Sequence, residues 1–139
     1  MTSLRLRVVS QEQELVKCEA TQITAPSETG EITILPGHAA LVAKLQVGEL
    51  TYVVGGTSTA IVISAGFLTV SRSGEVIVIV DSAVAARNIS LQKAEAAVEA
   101  ARRSLVSSDK RADLILAEAS LRRAMLEVKV AQRTNRTKI

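Results

Sequence analysis

Chemistry in this 139-residue chain would have to come from very few side chains. There is one histidine, His38, and one cysteine, Cys18, which together fall short of a His/Cys zinc set. No G-x-x-x-x-G-K-[ST] stretch occurs, so the backbone cradle that such loops wrap around phosphates is missing. Serine, histidine and aspartate are all present, but no spacing orders them as nucleophile, base and orienting acid. His38 lies in the turn L-P-G-H and reads as a structural or interface residue rather than a catalytic base. Cys18 follows Lys17, whose charge would lower a thiol pKa somewhat, although an inert strand cysteine is the plainer reading. Arginines and lysines in the last third would suit a phosphate backbone. Glu95, Glu99, Asp109, Asp113, Glu118 and Glu127 interrupt them, however, and the only aromatics are Tyr52 and Phe67. Single-strand platforms stack bases on rings that this chain lacks, so no nucleic-acid partner is expected. Neither catalytic nor metal-binding residues are expected.

The elements that would position these groups follow from composition and periodicity. The length allows one small domain plus an appendage. Nearly half the residues are apolar, so a core of Val, Ile, Leu and Ala is expected. A lone cysteine excludes an internal disulfide. No apolar run approaches the roughly 20 residues of a membrane helix, and the alternating start S-L-R-L-R-V-V is unlike a signal peptide. Through Ala85 there are five basic and eight acidic residues, a net charge of −3; from Ala86 onward there are twelve and six, a net +6. Periodicity changes at the same place, which sets expected domains at 1–86 and 87–139.

Leu4–Val9 alternates as a half-buried strand. Short strands follow at Leu15–Glu19 and Gln22–Ala25, with Pro26 closing the second. Glu31–Leu35 is a strand stopped by Pro36-Gly37, and Ala39–Leu45 is apolar up to the break at Gly48. Glu49–Val54, Gly55-Gly56 and Thr59–Ser64 read as a hairpin. Gly66 marks a bend or bulge before Phe67–Ser71, and Glu75–Asp81 reads as a nearly continuous buried strand. The spacing predicts a sandwich or barrel of about ten strands. From Ser90, a good N-cap, Leu91, Ala94, Val98, Ala101 and Leu105 recur at helical steps. After Ser107-Ser108-Asp109 the pattern resumes at Leu114, Ala117, Leu121, Ala124, Val128 and Ala131. Two helices, the second from about Asp109 to Thr134 and roughly 40 Å long, should form an antiparallel hairpin.

Two stretches carry a resemblance. Pro26, Gly30, Leu35, Pro36, His38, Ala39, Leu41, Gly48 and Leu50 fall on the pattern P-x-x-x-G-x-x-x-x-L-P-x-H-A-P-L followed by Gly-x-Leu, with Ala40 in place of its last proline. Gly66, Phe67, Val70, Val76, Val78, Asp81 and Ala83 fall on G-G-F-x-x-V…V-x-V-x-x-D-x-A, with Ala65 in place of its first glycine. The chain resembles the ε subunit of F-type ATP synthases of bacteria and chloroplasts. The order of sandwich and helical hairpin extends that resemblance over essentially the whole length.

The resemblance implies a non-catalytic central-stalk subunit of the rotary ATP synthase, acting in proton transport and ATP synthesis. Its sandwich would join the γ subunit to the c-ring. The turn holding Glu28 and Glu31 would face the ring, and the loop holding Pro36 and His38 would approach γ. Its hairpin would regulate, meeting the catalytic α/β subunits through Arg122, Arg123 and Lys129 and inhibiting ATP hydrolysis. The membrane would be reached only through the complex, on the cytoplasmic face of the bacterial plasma membrane or the stromal face of the thylakoid. Some ε subunits bind ATP through I/L-D-x-x-R-A and two arginines one turn apart. Here Ile89 and Ala94 match, Ser90 and Lys93 replace the Asp and Arg, and Arg123 is followed by Glu127. Lysine lacks the bidentate fork and glutamate repels phosphate, so ATP binding is expected to be weak and no cofactor is expected. The rival expectation is a free-standing β-sandwich binding module with a helical oligomerisation tail.

Overall fold

A computed structural model describes residues 2–107 and 110–137. The chain divides into two compact units, Met1–Val84 and Ala85–Ile139. In the first unit ten strands run in chain order. They are β1 (Leu4–Val9), β2 (Glu14–Ala20), β3 (Gln22–Ser27), β4 (Gly30–Ile34), β5 (Leu41–Leu45), β6 (Gly48–Val54), β7 (Thr57–Ile63), β8 (Gly66–Val70), β9 (Glu75–Val80) and β10 (Ala83–Ala85). The strand order β10-β7-β6-β3-β5-β8-β9-β1-β2, with β4 on β3, wraps one sheet into a near-barrel sandwich. β2 is brought back to β6 where the Thr21 N–H and hydroxyl both donate to the Val53 carbonyl, at 2.8 and 3.3 Å.

The core is aliphatic, as the composition requires. Leu4, Leu6 and Val8, then Leu68 and Val70, then Val76, Val78 and Val80 point inward at every second residue of their strands. The turns use glycine where φ must be positive. Gly55 (57°) and Gly56 (79°) form the two-residue loop between Val54 and Thr57, as their dipeptide predicts.

Several boundaries differ from the sequence expectation, each for a local reason. Pro26 does not close β3; the strand continues to Ser27. β3 pairs with β6 only as far as Thr24 and with β5 only at Ser27. The missing N–H of Pro26 therefore falls in the gap between those ladders, where its carbonyl accepts from Gln46 N–H at 3.0 Å. Gly48 does not separate elements but opens β6, and a Cβ there would lie 2.6 Å from the Pro26 ring. Gly66 opens β8 in regular register with Val80, without a bulge at that pair. β9 is buried on one face only: Ile77 is half-buried and Ile79 exposed. β10 is too short for any alternation to show, and β5 begins at Leu41 rather than Ala39.

In the second unit, a 3-10 turn (Ala86–Asn88) leads to α1 (Leu91–Ser107) and α2 (Arg111–Thr137). The Ser90 hydroxyl accepts the Lys93 N–H at 3.4 Å, the expected N-cap bond. The expected turn at Ser108 and Asp109 lies outside the described residues. The helices run antiparallel: Ser104 and Ser107 share a groove with Asp113 and Leu116, while Glu95 and Val98 share one with Met125 and Val128. Ala94, Ala101, Ala117, Ala124 and Ala131 are buried, whereas their seam partners Leu91, Val98, Leu105, Leu114, Leu121 and Val128 are only half-buried. Small side chains form the centre line and larger ones flank it. Each central alanine contributes under about 1 kcal/mol of burial, so the seam packs closely but holds weakly.

Candidate functional site

The residues singled out in the sandwich sit on two neighbouring features. The first is the Glu28–Gly30 turn between β3 and β4. Glu28 is braced from β5: its N–H donates to the Lys44 carbonyl at 3.0 Å, and its carboxylate lies 3.1 Å from the Lys44 ammonium. Gly30 has φ 129°, a conformation open to glycine. Glu31, the next residue, is exposed.

The second feature is the β4–β5 connection. His38 N–H donates to the Leu35 carbonyl at 3.1 Å, and its Nδ1 lies 2.8 Å from the Ala39 carbonyl oxygen. His38 is exposed, Pro36 half-buried, and among the described residues no acid or nucleophile is bonded to the ring. A hydrogen-bonded surface loop of this kind can present a shape but has nothing to activate.

Between these features lies a surface that sequence reading missed. Cross-strand register places Lys44, Phe67, Ile79 and Val9 side by side, and Val42, Thr69, Ile77 and Arg7 in the next row. Val42 is 72% exposed, Phe67 52% and Ile79 57%. Phe67 stands on the outer face because inward-facing Leu68 follows it. Single exposed apolar residues are ordinary, but a contiguous strip on one sheet face marks an interaction surface. The available signal was the run E-V-I-V-I-V, in which outward Ile alternates with inward Val. Both are apolar, so no polar residue revealed the outer face.

Elsewhere the electrostatics are simple. Arg7, hydrogen-bonded to Glu14 at 3.2 Å, holds that carboxyl below the usual carboxylate range, and its own pKa is raised in return. Burial pushes the Cys18 thiol up, against the lowering expected from Lys17. Among the described residues no three His, Cys, Asp or Glu side chains gather as metal ligands, and no helix is long and apolar enough to cross a membrane.

In the hairpin, Ala94 is buried in the seam, Lys93 exposed and Ile89 half-buried. Arg123 Nε donates to Glu127 Oε1 at 3.4 Å, and the Glu127 side chain is only 17% exposed. The guanidinium is already committed to an internal carboxylate. Arg122 and Lys129, seven residues apart on one helix stripe, are both exposed.

Residues 3–86 match the family described as ATP synthase, Delta/Epsilon chain, beta-sandwich domain. The ATP synthase epsilon chain of Dehalococcoides mccartyi is 40% identical over 137 residues, covering 96% of this chain and 95% of that one. That of Bordetella petrii is 32% identical over 138 residues, covering 99% and 98%. Among solved structures, a chain of the Euglena gracilis mitochondrial ATP synthase, determined with OSCP, F1 and c-ring, superposes with TM-score 0.79 at 29% identity, over 91% of this chain and 79% of that one. A chain from the central stalk and c-ring of the Tetrahymena thermophila enzyme shares the fold at TM-score 0.63 and 15% identity, over 92% and 96%.

Proposed function

This chain belongs to the ATP synthase delta/epsilon family, a non-catalytic subunit of the central stalk, and on that premise we propose how its parts divide the work. The sandwich joins the γ subunit to the c-ring, and the hairpin restrains ATP hydrolysis at the α/β subunits. The observation that carries the first half is the exposed strip of Val42, Phe67 and Ile79 on one sheet face. Lys44, in the same strip, is ion-paired to Glu28 of the turn assigned to the ring. One strand thus connects an apolar face suited to a protein shaft with an acidic turn suited to a polar loop. Against the rival reading, a free-standing module with an oligomerisation tail, stands the match to an epsilon chain over 99% of this chain and 98% of that one. Membrane association then comes through the complex, on the cytoplasmic face of a bacterial membrane.

The test is co-purification of γ and ring subunits with the tagged chain, repeated with Phe67→Ser. Losing the half-buried contact of one ring, about 1 kcal/mol, should weaken γ retention roughly fivefold. Retention equal to wild type would move the γ contact away from this face.

For the hairpin, the Arg123–Glu127 pair supports weak ATP binding. Glu127 already neutralises Arg123 and would repel a phosphate placed there. Calorimetry of the isolated protein is expected to show no micromolar affinity. Combining Ser90→Asp, Lys93→Arg and Glu127→Arg should give several-fold tighter binding, and aspartate keeps the helix cap intact. No gain in the triple variant would show that these positions do not form a nucleotide site.

A further inference from the structure

We infer that Ser27 is a positioning residue that sets the Glu28–Gly30 turn in one shape before it meets its partner; the inference rests on the reading of that turn as the ring-facing element. Ile23, Ala25 and Ser27 alternate on the inward face of β3, and all three are buried. The third of these positions calls for an apolar side chain. Ser27 is 4% exposed and, among the described residues, is the one polar side chain in the core. A buried hydroxyl is unfavourable unless bonded, and this one is bonded entirely within the turn. It donates to the Gly30 carbonyl. Having only one hydrogen, it therefore accepts from the Thr29 hydroxyl, 3.2 Å away.

Backbone geometry explains why such a tie is useful. Among the described residues none other than glycine has positive φ, so Glu28 and Thr29 lack the left-handed conformation that favours two-residue hairpins. Gly30 makes the correction alone, and Ser27 and Gly30 still form the last register pair of β3 and β4. The Ser27 hydroxyl closes the turn from inside while Lys44 braces Glu28 from the adjacent strand. Glu31 is thereby presented on a fixed base. A surface ordered beforehand loses less conformational freedom on docking, which strengthens the contact without adding any new one.

Two variants of the full-length protein test this. Ser27→Ala removes the inner tie, and Lys44→Gln removes the outer brace from an exposed position without touching the core. Amide exchange at Thr29, Gly30 and Glu31 should rise roughly fivefold in Ser27→Ala and less in Lys44→Gln, with other strands unchanged. Complexes carrying Ser27→Ala should keep γ but release the ring more readily in salt washes. Unchanged exchange at the turn in both variants overturns the proposal and leaves the ring assignment standing. A loosened turn with unaltered ring retention instead overturns the assignment of this turn as the docking element, and the positioning role with it.

Discussion

Gly66→Ala is expected to cost about 3 kcal/mol of folding stability, at the upper end of ordinary overpacking. A Cβ at position 66 would stand 2.1 Å from the Ile79 carbonyl oxygen and 2.9 Å from the Val80 Cα. These are backbone atoms of β9, so no side-chain rotation relieves the contact. β9 lies between β8 and β1, and shifting it would disturb the ladders on both of its sides. For a domain of this size the loss corresponds to a fall in Tm of roughly 12 °C or more. Gly48→Ala provides the comparison. Its new methyl would lie 2.6 Å from Cβ and Cγ of Pro26, a ring closed onto its own backbone that relieves the clash only in part by puckering, and should cost about 2 kcal/mol. Chemical denaturation of the two variants decides the matter. A Gly66→Ala protein within about 0.5 kcal/mol of wild type would mean that the β8–β9 approach is looser than described.

Removing the chain after Ala86 should leave the sandwich folded and the complex assembled, while ATP hydrolysis without a proton gradient rises at least about tenfold. The sandwich should survive because its core from Leu4 to Val80 is drawn wholly from its own strands. Assembly should survive because the proposed γ and ring contacts lie on β5, β8, β9 and the turn after β3. Hydrolysis should rise because the deleted segment carries the positive excess, a net +6, that would be attracted to acidic surfaces of the catalytic subunits. The structure also ranks the charges. Arg123 is neutralised within its own helix, whereas Arg122 and Lys129 are exposed. Neutralising Arg122 and Lys129 should therefore release more hydrolysis than neutralising Arg123, and raised salt should mimic it. Equal rates for truncated and full-length complexes at low salt would leave the hairpin with no inhibitory role, without touching the family assignment.

The sequence by itself determined the classes of element and most of their limits. Alternation at Leu4–Val9 places Leu4, Leu6 and Val8 inside, since a period of two can bury only one face. Gly55-Gly56 sets the β6–β7 hairpin because only glycine takes positive φ twice at no steric cost. Alanines at helical spacing mark the hairpin seam because the apolar stripe is local to each helix. Tertiary structure alone decided what depends on neighbours distant in sequence. Pro26 stays inside β3 because two other strands leave a gap beside its nitrogen. Gly66 is required by the backbone of β9, which lies beside it only once the sheet has formed. The parallel pairing of β1 with β9 leaves no local trace, although it places Val9 beside Ile79. Burial of Ser27 follows from its place on the inward face of β3 within the closed sheet, so a core hydroxyl holding a surface turn looks in sequence like any turn serine. The outer strip of Val42, Phe67 and Ile79 was hidden for the same reason: apolar residues on both faces erase the alternation, and only the closed sheet shows which face is buried in its core.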